Sequence, residues 1–177
     1  KNSKLSFFYG WLFGFGYFIT NLYWISISLT FDDNFKFLIP LTVFLIPAFL
    51  ALFYGFISYL FCAFKPKKII SSFLFFSLLF GIMEFVRGTI LTGFPWNLIA
   101  YSFSNQIEFL SITKIIGTYG FNLFCISLFT SPAIFILKST KKNMAVCTFF
   151  FICLIFFYIH VTLSNEDFNH APKVSFN

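Results

Sequence analysis

Charged side chains are scarce in this sequence. Only 10% of its 177 residues are Asp, Glu, Lys or Arg, whereas a typical soluble domain carries about 25%. A soluble fold of this size would need many more polar side chains to cover its surface. Hydrophobic residues make up 59% of the chain, a composition suited to lipid. The shortage of charge therefore excludes a soluble globular domain and predicts an integral membrane protein.

The residue patterns that support metal or nucleophile chemistry are also missing. No C-x-x-C occurs, and the two histidines have no matching acids, so we expect no metal site, no cofactor and no disulfide framework. No Ser-His-Asp grouping or phosphate-binding glycine loop is visible. We therefore expect no catalytic residue within this chain. The cysteines lie in apolar runs and are expected to act as small hydrophobes: Cys62, Cys125, Cys147 and Cys153.

Five apolar stretches are long enough to cross a hydrocarbon core about 30 Å thick, which takes about 20 helical residues. Backbone groups in lipid must be satisfied within their own segment, so each stretch is predicted to be a helix. The predicted fold is an all-α membrane protein with about five transmembrane helices, near residues 7–29, 37–64, 69–91, 115–137 and 144–163.

The distribution of charge predicts the orientation. The net charge of +6 does not indicate a nucleic-acid partner, because the lysines form short clusters between apolar runs. Short basic connections stay on the cytoplasmic side of a membrane, which predicts a cytoplasmic N-terminus and a C-terminal tail outside. Eight lysines lie on the predicted inner side: Lys1, Lys4, Lys65, Lys67, Lys68, Lys138, Lys141 and Lys142.

One connection is longer than the others. Residues 92–113 are too polar to span a membrane but carry several aromatic side chains, including Trp96 and Tyr101. Because Trp and Tyr favour the headgroup region, we expect an interfacial or re-entrant segment on the outer face. Gly93 permits a left-handed helix cap and Pro95 prevents further regular helix. Phe94 and Trp96 complete this T-G-F-P-W passage, in which Trp96 is directed at the interface, either in a functional role or only as part of the aromatic belt.

Two ionisable residues interrupt the third apolar stretch. Glu84 and Arg87 are spaced i and i+3, which places them on one helical face. A charge at the centre of a membrane helix costs roughly 2.5–3.5 kcal/mol on insertion scales, so such residues are usually functional. Two interpretations remain open: a salt bridge that only fixes helix packing, or a site at which the guanidinium meets a phospholipid phosphate. Elsewhere, Gly10 and Gly14 form a small-xxx-small pair that permits close helix contact.

Four passages together resemble a known family, the apolipoprotein N-acyltransferases of the bacterial inner membrane. The most specific is MEFVRGTILTGFPWNLIAYS, which is similar to the family's E-x-x-R-G stretch followed by T-G-F-P-W; Ala100 stands where glycine is common. The others are GWLFGFGYFITNLYWISISL, IPLTVFLIPAFLALFYG and IIGTYGFNLF.

The resemblance implies an activity that this chain does not itself contain. In the family, a periplasmic nitrilase-like domain with a Glu-Lys-Cys triad takes an acyl chain from a phospholipid and delivers it to the N-terminal cysteine of an apolipoprotein. The implied partners are the phospholipid donor, the apolipoprotein acceptor and the membrane. Residues 1–163 would form the membrane domain, and residues 164–177 a periplasmic tail leading into the nitrilase-like domain. Because the first residue is Lys1, we expect a fragment or a processed product. The resemblance suggests Glu84, Arg87 and Trp96 as contributors, through headgroup contact or by fixing the outer segment.

Two other interpretations remain open. A small polytopic transporter or channel subunit would carry polar or charged residues along several helices near the midplane, but ionised residues occur in the third apolar stretch alone. The chain could instead be an inactive structural remnant of a split gene.

Overall fold

The computed structural model describes residues 2–90, 93, 95–106, 109–110, 112–138 and 140–169, with the backbone only at 161 and 164–169. Within these ranges the chain is helical throughout most of its length and contains no strand. Four helices are long and apolar enough to cross a membrane, or five if a bent pair near the N-terminus counts as one span. The predicted all-α membrane fold with about five spans is confirmed.

The chain divides into two compact units, Lys1–Leu98 and Ile99–Asn177. The helices of the first unit are α1 (Ser3–Leu22), α2 (Ile25–Ser28), α3 (Ile39–Phe64) and α4 (Ile69–Thr89), with 3₁₀ turns at Leu29–Phe31 and Asp33–Leu38. The second unit contains a 3₁₀ turn at Ile99–Phe103 followed by α5 (Thr113–Leu137) and α6 (Lys141–Asn169).

In the structure, the first predicted helix is broken into two segments. Residues 7–29 were expected to be one span, but α1 ends at Leu22, and the following segment Ile25–Phe31 is bent from it by 46°. Hydroxyl groups beyond the break donate to carbonyls three residues earlier, as Ser26 does to Tyr23 at 2.6 Å and Ser28 to Ile25 at 2.6 Å. Such local bonds compete with regular helix and often bend it. The pattern of apolar residues alone does not reveal these local hydrogen bonds.

The last two helices also depart from the predicted bounds. Gly117, with φ of 74°, lies at a kink in α5 that turns its first residues away from regular helix. Helix α6 continues to Asn169, six residues beyond the predicted end. The division into a membrane domain (1–163) and a tail (164–177) stays a prediction, and the expected start of the nitrilase-like domain at 172–177 lies outside the described residues.

Helix α1 packs closely on α3 through glycine. A Cβ atom on Gly14 would lie 2.8 Å from the Cβ of Tyr54, and one on Gly10 would lie 2.6 Å from the Tyr54 carbonyl oxygen. The small-xxx-small pair predicted from the sequence therefore lies in a helix contact within the chain. Hydrogen bonds also join the same helices: Ser6 Oγ donates to the Ser58 carbonyl at 2.9 Å, and Trp11 Nε1 donates to the Ala48 carbonyl at 3.0 Å.

The second unit has its own core. Its buried members are Ala100, Phe109, Ile112, Phe121 and Cys125. The fully buried side chain of Asn122 ties this core to the 3₁₀ turn, because its Oδ1 accepts a hydrogen bond from the Ala100 backbone N–H at 3.0 Å. At the end of α5, the Asn143 amide donates to the Lys138 carbonyl at 2.5 Å and so satisfies a carbonyl that the helix leaves unpaired.

Two matched glycine variants test the close packing of α1 on α3. We expect Gly14→Leu to lower the thermal unfolding midpoint in detergent, because overpacking of a tight contact typically costs about 1–3 kcal/mol. Gly16→Leu should leave the midpoint unchanged or raise it, since nothing lies within 4 Å of a Cβ there and leucine favours helix over glycine. Circular dichroism at increasing temperature measures both variants. Equal midpoints would contradict the glycine contact.

Candidate functional site

The candidate site is built around an ion pair inside α4. Glu84 and Arg87 are each 1% exposed, and Arg87 Nη2 lies 2.5 Å from Glu84 Oε2. Their i, i+3 spacing places both on the face of α4 that the first unit buries, as the sequence predicted. Burial makes the pairing obligatory, because either charge alone would be strongly disfavoured in this environment.

The Arg87 guanidinium has further partners besides the carboxylate. Its Cζ lies 5.2 Å from the centroid of the Phe18 ring, a cation–π arrangement supplied by α1. Its Nη1 donates to the backbone carbonyl of Trp96 at 2.9 Å. A planar guanidinium has donors directed in a fixed fork, so it can hold a carboxylate and a carbonyl at once. Arg87 therefore joins α4 to the chain that follows it.

Tyr54 of α3 packs beneath the ion pair. It is 3% exposed, and its ring contacts the rings of Phe18 (5.2 Å between centroids) and Phe80 (5.0 Å). Its hydroxyl is buried and makes no hydrogen bond within the described residues. Helices α1, α3 and α4 thus all contribute to the surroundings of the ion pair.

Helix α4 ends at Thr89, and its last turn is followed by two left-handed residues. Gly93 has φ of 76° and Asn97 has φ of 57°. A Cβ on Gly93 would lie 2.7 Å from the Gly88 carbonyl oxygen, so glycine is required by space as well as by backbone conformation. Asparagine is among the few other residues that tolerate this region. We call residues 95–98 the α4 turn; Thr92 and Phe94 lie outside the described residues.

The α4 turn is held at two successive carbonyl groups. Arg87 donates to the carbonyl of Trp96, and the hydroxyl of Tyr17 in α1 donates to the carbonyl of Asn97 at 3.0 Å. Side chains of two helices therefore fix the backbone on which Trp96 lies. The Trp96 side chain is 53% exposed and contacts the ring of Trp24 edge to face, with 5.9 Å between centroids.

The structure brings together some of the predicted residues. Glu84, Arg87, Gly93 and the Trp96 backbone belong to one site, and Pro95 opens the α4 turn. Gly10 and Gly14 lie in the α1–α3 contact instead, and Tyr101, 40% exposed, belongs to the second unit.

Sequence reasoning missed four contributors to this site: Tyr17, Phe18, Tyr54 and Asn97. Helical spacing contained a signal for one of them. Gly10, Gly14 and Phe18 are buried at intervals of four residues in α1, so the predicted glycine face continues directly into the ring that covers Arg87.

This arrangement can hold other parts of the chain in position. Across the described ranges, no three His, Cys, Asp or Glu side chains lie close enough together to hold a metal ion. Both charges of the ion pair are committed to each other, and the guanidinium also binds a backbone carbonyl. The site can therefore hold a turn of backbone and present aromatic side chains.

Fold and site together define a polytopic helical membrane protein with a charged residue pair that secures a turn at a helix end. The family model for the apolipoprotein N-acyltransferase N-terminal domain matches residues 1–129, and the chain belongs to that family.

Curated relatives support the assignment. Apolipoprotein N-acyltransferases from Brucella melitensis, Rhizobium etli and Rhodopseudomonas palustris are 38%, 37% and 38% identical over 126, 130 and 137 residues. These matches cover 71%, 71% and 76% of the chain. The chain spans about a quarter of the length of these relatives, at 24%, 24% and 25%. No solved structure matches it.

The buried pair predicts a non-additive result in a double-variant experiment. Arg87→Met alone should destabilise the protein by about 3–5 kcal/mol, because it leaves the Glu84 carboxylate buried without its partner. Adding Glu84→Leu should recover much of this loss, since an apolar pair of similar volume avoids burying any charge. Thermal unfolding of both variants in detergent measures the difference. A double variant no more stable than the single one would contradict the pairing energetics.

Proposed function

We propose that this chain is the membrane domain of an apolipoprotein N-acyltransferase that moves a fatty acyl chain from a phospholipid to the N-terminal S-diacylglyceryl cysteine of a lipoprotein. The observation that carries the proposal is the family match over residues 1–129, which includes the whole Glu84–Arg87–Trp96 site. The relatives bear the name of this activity.

In this proposal the covalent steps take place outside the chain. The cysteine thiolate of a Glu-Lys-Cys triad attacks the ester carbonyl of the phospholipid, so a thioester forms and a lysophospholipid leaves. The α-amine of the lipoprotein cysteine then attacks the thioester, which forms the amide and returns the thiol. Covalent catalysis of this kind divides one difficult transfer into two easier ones.

We assign the membrane domain two tasks: to hold the catalytic domain at the membrane and to shape the entrance for lipid. Of the two roles left open for Arg87, the geometry favours positioning. The side chain is 1% exposed and is engaged with Glu84, the Phe18 ring and the Trp96 carbonyl, an arrangement that leaves it turned away from a lipid phosphate. The exposed Trp96 ring is the part of the site that lipid would meet.

The proposed location is the bacterial inner membrane, with the N-terminus cytoplasmic and the C-terminal tail periplasmic. Lysine clusters between α3 and α4 and between α5 and α6 support this orientation. They comprise Lys65, Lys67 and Lys68 in the first connection and Lys138, Lys141 and Lys142 around the second.

The distribution of buried charge supports an enzyme domain over a transporter or channel. In the described part of the chain, the buried Asp, Glu, Lys and Arg side chains are Glu84 and Arg87. Both lie in α4 and pair with each other. A transport pathway would need polar or ionisable groups contributed by several helices near the midplane.

Complementation tests the proposed function. The chain is joined to the nitrilase-like domain and terminal helix of a relative and expressed in cells depleted of their own enzyme. Mass spectrometry then scores N-acylation of a lipoprotein. We expect acylation by the chimera, and a loss of about 10²-fold for Arg87→Ala, since small misplacements of a site cost about that much.

Lys114→Ala is the matched control, because it removes an exposed cation at the start of α5 that has no part in the site. It should retain full activity. A chimera that inserts normally but does not acylate lipoprotein would overturn the proposed function. Full activity of Arg87→Ala at normal expression would overturn the role assigned to Arg87.

A further inference from the structure

The α4 turn receives hydrogen bonds from two different helices. Arg87 of α4 holds the Trp96 carbonyl, and Tyr17 of α1 holds the Asn97 carbonyl one residue later. The Tyr17 contact joins residues 80 positions apart in the chain. It therefore fixes the turn relative to α1, the helix that also contacts Arg87 through the face of the Phe18 ring.

The backbone at Asn97 needs this external support. Among the described residues, Asn97 is the one non-glycine residue with positive φ, a sparsely populated conformation for L-residues that asparagine tolerates better than most. Such backbone persists where its surroundings determine it from more than one side. The bond from Tyr17 acts on the carbonyl of the strained residue itself.

The same helix also positions the second ring of the aromatic pair. Trp24 follows the end of α1 by two residues, and its ring contacts Trp96 edge to face. Both indoles are about half exposed, at 45% for Trp24 and 53% for Trp96. Because the indole ring favours the headgroup region of a bilayer, this pair offers lipid a surface whose two halves come from different parts of the chain.

We propose that Tyr17 is a positioning residue, which acts through the Asn97 carbonyl to hold the Trp96 indole against Trp24 where the acyl-donor phospholipid enters. The positioning role stands on the geometry. Its purpose in admitting phospholipid rests on the proposed function.

Tyr17 also fills space, and the two roles must be separated. Its ring is stacked near that of Tyr54 (5.9 Å between centroids, 22° between planes) and meets Phe18 edge to face at 5.2 Å. Tyr17→Phe keeps the ring and removes only the hydroxyl that binds the turn. Tyr9→Phe is the matched control, since it removes a hydroxyl from an exposed tyrosine of the same helix.

Fluorine NMR provides the spectroscopic test. The chain has three tryptophans, so 5-fluorotryptophan labelling gives three signals, assigned by Trp11→Phe, Trp24→Phe and Trp96→Phe. In Tyr17→Phe we expect the Trp24 and Trp96 signals to shift and broaden as the turn loosens. The Trp11 signal should stay, because Trp11 bonds to α3 at a distance from the turn. Tyr9→Phe should move neither signal of the pair.

A second arm measures acyl transfer in the chimera described above. Tyr17→Phe should reduce it about tenfold, the rate equivalent of one lost hydrogen bond, through a higher KM for phospholipid, and Tyr9→Phe should have no effect. Unchanged Trp24 and Trp96 signals in Tyr17→Phe would overturn the positioning role. Shifted signals with unchanged acyl transfer would overturn its purpose in lipid entry. If the unsubstituted chimera is inactive, the proposed function fails, while the NMR arm still decides the role of Tyr17.

Discussion

The structure of the first unit depends on keeping a guanidinium buried inside a membrane helix. A charge in that position is tolerated only when it is paired and hydrogen-bonded. Glu84 neutralises Arg87, the Phe18 ring covers it and the Trp96 carbonyl accepts a hydrogen bond from its Nη1. Each of these partners comes from a different place: α4 itself, α1 and the chain beyond α4. Satisfying one side chain therefore brings three segments together.

Glycine packing makes this arrangement possible. Gly10 and Gly14 let α1 approach the backbone of α3, and the same face of α1 continues one turn later to Phe18, which covers the guanidinium. Tyr54 of α3 takes part in both contacts, with its carbonyl oxygen near Gly10, its Cβ near Gly14 and its ring against Phe18. The close helix contact and the buried ion pair are thus parts of one packing arrangement, and its outcome is an exposed indole pair at the end of α4.

Local patterns predicted the spans, placed Glu84 and Arg87 on one helical face and allowed a left-handed glycine at position 93, because apolar length, i, i+3 spacing and turn chemistry act over short stretches of sequence. The break after Leu22 was not predicted, since hydropathy does not reveal local hydroxyl–backbone bonds such as the one that Ser26 makes to the Tyr23 carbonyl beside the break. Tyr17 was missed because its partner lies 80 residues away. That partner is a backbone carbonyl, a group that every residue carries and that no sequence pattern can single out. The proposed substrates, partners and orientation rest on family membership and charge pattern.

The bond between Arg87 and the Trp96 carbonyl is the contact on which this account depends most. Arg87 is the single arginine of the chain, so ¹⁵N-arginine labelling marks one guanidinium. Rotational-echo solid-state NMR on protein in lipid bilayers, with carbonyl-¹³C tryptophan in a Trp11→Phe/Trp24→Phe background, then measures one nitrogen-to-carbon distance. A hydrogen bond of 2.9 Å places the nearest guanidinium nitrogen within about 4.1 Å of the Trp96 carbonyl carbon. A separation beyond about 5 Å, which no hydrogen bond to that carbonyl allows, would contradict the account.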